Sequence, residues 1–188
     1  MRKIYFKVLF ISITVCCCTA SKGFSQANIS GDSVKNMLLR DWERAKAYTQ
    51  EYMQAMPAGK YSFKATDSVR TFGQQLLHLT QANMFFISTA TGDKPVYAGP
   101  DLEKSISAQT ADSVMYYVNM GYDFAINSIK KLTPSSLIQP VTLNMGQSFT
   151  ASRLSWLLKA FEHQTHHRGQ TTIYLRLAGV RPPQERLF

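Results

Sequence analysis

Four stretches of the chain repeat apolar residues at three- and four-residue spacing, the period of a helix with one buried face. The first, about Asp32–Met56, carries Val34, Leu38, Trp42, Ala45 and the Tyr48–Tyr52 pair at that spacing, and "MPAGKYSF" breaks it. The second is predicted from about Ser68 to Thr89, with Asp67 placed to cap its start. The third runs from about Thr110 to Leu132 and stops before Pro134. The fourth spans about Thr150–Ala178, with Gly179 as its stop and Pro182–Pro183 behind it. No stretch alternates persuasively enough to predict a strand, and no internal repeat is present. Long connections, "TGDKPVYAGPDLEKSISAQ" and "TPSSLIQPVTLNMGQSF", join the second pattern to the third and the third to the fourth. Loops this long are commonly functional or flexible. The 91–109 connection, with Gly92, Pro95, Gly99 and Pro100, is a candidate lid. The expectation is an all-α chain folded as a four-helix bundle, in which inward-pointing side chains can hold metals or small ligands.

The first 26 residues stand outside this pattern. "MRKIYFKVLFISITVCCCTASKGFSQ" opens with Arg2, Lys3 and Lys7, runs apolar from Val8 to Val15 and ends in small and polar residues. That is the layout of a secretory signal peptide, with an apolar core too short to span a bilayer. Residues 1–26 are therefore expected to be a signal peptide cleaved after Gln26, leaving 27–188 as one helical domain exported to the periplasm. No stable transmembrane segment is expected to remain. Lipoprotein anchoring through Cys16, Cys17 or Cys18 fits less well, because Val15 is a poor match to the small residue such a site wants.

Removing that segment changes the chemistry available. All three cysteines leave with it, so thiol nucleophiles, disulfides and cysteine ligands drop out. The formal net charge of +9 falls to +5, since Arg2, Lys3, Lys7 and Lys22 are lost and no acid goes with them. The remaining Lys and Arg residues are dispersed, without the clustered basic face of a nucleic-acid binder.

Histidine is the residue that clusters. The chain has four, and three of them fall in "FEHQTHHRGQ" (161–170). At about 100° per residue, His163 and His167 lie one helical turn apart and about 40° apart around the axis, so both imidazoles can converge on one ion. His166 is about 60° from His163 and 100° from His167 on the same reckoning, so all three cannot converge. Trp156, His163, His167, Gln170 and Tyr174 share one stripe about 60° wide, opposite Leu154, Leu158 and Phe161. A helix apolar on both sides can turn the histidine stripe inward, which favours His163 with His167. The periodicity of the second helix does not choose a third ligand. His78 sits off the stripe of Phe72, Leu76, Leu79, Phe86 and Ile87, and Glu162 or Asp41 would serve as well.

"FEHQTHHRGQTTIYLRLAGVRPP" resembles the C-terminal helix of the DinB-like family of four-helix bundles, and "YMQAMPAGKYSFKATDSVRTFGQQLLHLTQAN" resembles its second-helix region. The likeness covers about residues 32–183. It implies a metal site built from one histidine of the second helix and the HxxxH pair of the fourth, here His78, His163 and His167. His166 and Arg168 would then lie behind the site or on the helix surface, and Gln170 could reach toward it or pack. The implied cofactor is a divalent ion such as zinc, nickel, iron or manganese, among which nitrogen ligands discriminate poorly. Three neutral imidazoles leave coordination positions open, as catalytic sites do.

The resemblance, together with the expected export, points to a metal-dependent enzyme of the cell envelope, a hydrolase or transferase acting on an unidentified small molecule. The alternative is a non-catalytic metal-binding or interaction module. Some relatives are similar to thiol-dependent transferases and isomerases, but export removes this chain from the mainly cytosolic thiols they use. No general acid or base stands out. Tyr116, Tyr117 and Tyr122, or Asp41 with Trp42, could line a pocket. Helical bundles of this family commonly pair, so a homodimer is expected.

Overall fold

The computed structural model describes residues 30–188; the expected signal peptide and its boundary at Gln26 lie outside the described residues. Four long helices dominate: α1 (Gly31–Ala55), α2 (Phe72–Thr91), α3 (Ala111–Lys131) and α4 (Arg153–Leu177). Helix α2 packs most extensively on α4 and then on α3, while α1 closes the bundle against α3 and α4. Apolar faces at helical spacing meet in a core that includes Trp42, Phe72, Leu76, Ile87, Ile129 and Leu157, each fully buried. Burying side chains of this size contributes about 1.5–3 kcal/mol apiece. Helices α2 and α3 approach closely at Gly121, where a Cβ would lie 2.9 Å from Cγ2 of Thr80. Among the described residues no helix is long and apolar enough to cross a membrane.

The helix ends follow their capping chemistry. Helix α2 begins at Phe72 rather than near Ser68, and its cap is Thr71, not Asp67. Thr71 Oγ1 accepts from the Gln74 N–H at 3.0 Å while Gln74 Oε1 accepts from the Thr71 N–H at 2.9 Å. The next two N–H groups donate outside the helix, Phe72 to the Phe63 carbonyl and Gly73 to that of Tyr61. This reciprocal capping box, together with the acceptors from 61–63, satisfies the first turn without Asp67. Helix α4 ends as its Gly179 requires, with φ +77° and N–H bonds from Val180 to the Leu175 carbonyl and from Gly179 to that of Arg176.

The connection between α3 and α4 departs from the expectation. It contains a hairpin, β1 (Pro140–Met145) paired antiparallel with β2 (Gln147–Ser152) around Gly146 at φ +74°. Only Val141 and Leu143 on β1 turn toward the core, and most of β2 is exposed, so the strand period is weak in the sequence. The hairpin also delays α4: residue 150 pairs with Thr142 across the ladder, and Ser152 caps the helix by accepting from the Ser155 N–H.

The 92–110 connection is held to α2 along its second half. Leu102 is buried, its N–H donates to Gln81 Oε1 at 2.9 Å, and the Glu103 carbonyl accepts from the side-chain amides of Gln74 and Gln109, each at 3.0 Å. Residues 101–109 thus pack on α2 through Leu102 and Glu103 rather than standing clear of it as a free lid would.

Candidate metal centre

The seam between α2 and α4 places His78 opposite His163 and His167. One ring nitrogen from each of the three lies within 4.8 Å of the others. The ring centroids are 4.4 Å apart for His163–His167, 4.5 Å for His78–His167 and 5.2 Å for His78–His163. Nitrogens about 2.0–2.1 Å from a shared ion would fall within such spacings after small rotations. His166, adjacent in sequence, is exposed and bonds through Nε2 to the Gln170 amide at 3.0 Å.

Two of the three rings are oriented from behind. Nδ1 of His78 lies 2.6 Å from Glu103 Oε1 and 3.2 Å from an Arg70 guanidinium nitrogen. A guanidinium can only donate and a carboxylate only accepts, so the shorter contact sets Nδ1 as a protonated donor to Glu103. Arg70 then grips the same carboxylate through its Nε. Nδ1 of His167 donates to Gln75 Oε1 at 2.8 Å; the Gln75 amide donates to the Tyr174 hydroxyl at 3.5 Å, which donates to the Arg70 carbonyl at 2.6 Å. On both histidines Nε2 is left as the free nitrogen. Nδ1 of His163 is buried with no hydrogen-bond partner among the described residues, a cost that coordination would relieve.

Electrostatics keep the pair on α4 uncharged. Burial pushes the His167 imidazole down to about 3, assisted by the neighbouring His163 and His78. Burial likewise lowers His163, with His78, His166 and Arg70 adding to the effect. Neutral imidazoles are the form that binds a cation. The donor set, its convergence and the orphaned His163 nitrogen therefore fit a divalent ion.

His78 and His163 are partly exposed, while His167 is buried, so the cluster opens to one side. A surface cleft of about 540 Å³ lies on the backing side of the rings, lined by Arg70, Gln74, Gln75, Glu103 and Gln170 among others but by none of the three histidines. A larger cavity, about 940 Å³, lies over α3 between Asp93 and Lys131 and includes none of the histidines. Size alone does not mark chemistry, and the converging nitrogens make the seam the site.

Most of the other residues considered from sequence lie elsewhere. Tyr122 is fully buried, bonded to Thr49 and Gln164, and Trp42 packs on it in the core. Tyr116 and Tyr97 each meet Tyr117 edge-to-face, Asp41 pairs with Arg44, and Glu162 is exposed. Arg168 is neither behind the site nor on the surface: it is buried, bonded to Gln164 Oε1 and placed 4.7 Å over the Tyr48 ring. Gln170 bonds His166 through its amide and buries an unpartnered Oε1. Glu103, Arg70 and Gln75 also take part in the site, none of them a candidate from the sequence. Gln75, three residues before His78 on the same helix, was the one with a spacing signal.

The chain matches a known family model. The DinB family profile covers residues 31–186, and the chain belongs to that family. Its fold is similar to a DinB-like protein from Bacillus cereus ATCC 10987, with 19% identity, TM-score 0.67, and coverage of 80% of this chain and 97% of that one. A DinB-like protein from Bacillus subtilis is similar at 16% identity and TM-score 0.61, over 81% of this chain and 97% of that one. No curated protein matches the sequence.

Proposed function

We propose that this chain is a metal-dependent enzyme of the cell envelope, a hydrolase or transferase, that holds a divalent ion on His78, His163 and His167. The convergence of three imidazole nitrogens within 4.8 Å carries the reading. A divalent ion there would supply Lewis acidity to a small molecule entering from the open side. The protein's own residues supply the rest. Gln75 and Glu103 orient the imidazoles, burial keeps His163 and His167 neutral, and the Phe86 and Trp156 rings wall the seam beside His163. An open side favours turnover over simple storage, because a storage site is better served by ligands that saturate the ion. The envelope assignment rests on the signal-like segment 1–26.

The test is a screen of the purified protein against ester, amide, phosphoester and group-transfer substrates, before and after chelation. An activity abolished by chelator and restored by one divalent ion supports the reading. Stoichiometric metal with no activity on any class supports the non-catalytic alternative.

A further inference from the structure

Glu103 sits in a short 3-10 turn (Leu102–Lys104) of the α2–α3 connection, outside the four long helices, and its carboxylate bonds Arg70 and His78. Its backbone carbonyl is anchored by Gln74 and Gln109, its N–H donates to Asp101 Oδ1 at 3.0 Å, and Leu102 beside it is buried. Arg70 holds the carboxylate through Nε, leaving Oε1 aimed at His78 Nδ1. This is a carboxylate fixed at backbone and side chain before it meets the imidazole. A histidine ligand backed in this way keeps one tautomer and one ring orientation, and its free nitrogen becomes a stronger donor.

We propose that Glu103 is a positioning residue for His78: with Arg70 it selects the Nδ1–H tautomer and thereby couples metal affinity to the order of residues 101–109. The inference rests on the metal-binding reading for its second half only. Tautomer selection is a property of the metal-free chain. The coupling is reciprocal by linkage, so an ion that gains affinity from Glu103 must also hold Glu103, and the segment carrying it, in place.

The experiment uses the whole purified protein with Glu103→Gln and Glu103→Ala. Long-range ¹⁵N–¹H correlation on the metal-free protein, at mildly alkaline pH, reports the His78 tautomer. The wild type is expected to show the Nδ1–H form, Glu103→Gln to keep most of it through the amide oxygen, and Glu103→Ala to lose it. Titration with Co²⁺ against a competing chelator should show affinity falling about 10–100-fold in Glu103→Ala and less in Glu103→Gln. Hydrogen exchange of residues 101–109 should slow on Co²⁺ binding in the wild type and much less in Glu103→Ala. A His78 tautomer identical in wild type and Glu103→Ala overturns the inference. So does a wild type that binds Co²⁺ while both variants bind it equally well. Should Glu103→Ala not fold, Glu103→Leu, which removes the acceptor while keeping most of the side-chain volume, decides the tautomer. A wild type that binds no Co²⁺ sinks the metal reading instead, and the tautomer result still judges Glu103.

Discussion

The hydroxyl of Tyr174 donates to the backbone carbonyl of Arg70 at 2.6 Å, joining α4 to the residue just ahead of α2. The same hydroxyl accepts from the Gln75 amide, whose oxygen accepts from His167 Nδ1. Arg70 therefore supports both sides of the seam, His167 through its carbonyl and His78 through its guanidinium and Glu103.

Tyr174→Phe removes the hydroxyl and keeps the ring, which packs on Phe63 and Phe72. The expected loss is about 1–2 kcal/mol, from an unpaired, partly buried carbonyl and a freed Gln75 amide. Chemical denaturation of the metal-free protein measures it. Metal affinity should fall as well, because Gln75 is no longer held for His167. A variant as stable as the wild type with unchanged affinity would show that the chain of bonds from Arg70 to His167 has no energetic role.

Gly121 is set by the close approach of α2 and α3. A Cβ there would meet Thr80 Cγ2 at 2.9 Å, and the Thr80 side chain is not free to turn away because its hydroxyl bonds the Leu76 carbonyl at 2.9 Å. Alanine raises helix propensity by about 1 kcal/mol, while overpacking a tight contact costs about 1–3 kcal/mol. Gly121→Ala is thus expected to lower the melting temperature. A rise would mean the helices separate at little cost.

Asp93 ties the end of α2 to α3. Its carboxylate accepts from Lys131 Nζ at 2.8 Å and Ser128 Oγ at 2.7 Å, and these bonds hold its pKa below the usual 3.8. A depressed folded pKa means the unfolded chain takes up the proton first. The stabilisation is complete above the unfolded value and disappears as pH falls from there through the folded value. Stability curves in acid should therefore be flatter for Asp93→Asn than for the wild type, with the two converging below that window. Parallel curves across the window would contradict the assignment.

Much of this architecture is legible from residue spacing, and what is not has identifiable causes. The four helices follow their apolar period, and Gly179 marks the end of α4 because only its left-handed backbone closes the helix there. Helix α2 starts at Phe72 rather than near Ser68 because the Thr71–Gln74 capping box, a local T-x-x-Q signal, takes precedence over Asp67. The acceptors on Tyr61 and Phe63 that complete its first turn have no local pattern. The hairpin stayed hidden because one of its strands buries almost nothing. At the seam, helix geometry pairs His163 with His167 from sequence alone. His78 needed the family pattern, since its own helix face is mixed. Glu103 could not be found either way, because its tie to His78 joins a loop to a helix 25 residues earlier.

The most direct test is the metal content of four single variants after loading with a divalent ion and removal of the excess. His78→Ala, His163→Ala and His167→Ala should each lose most of the bound metal, while His166→Ala, changed at an exposed ring bonded to Gln170, should match the wild type. A wild type that retains no metal would contradict the account. So would a His166→Ala protein that comes out empty while His167→Ala stays full.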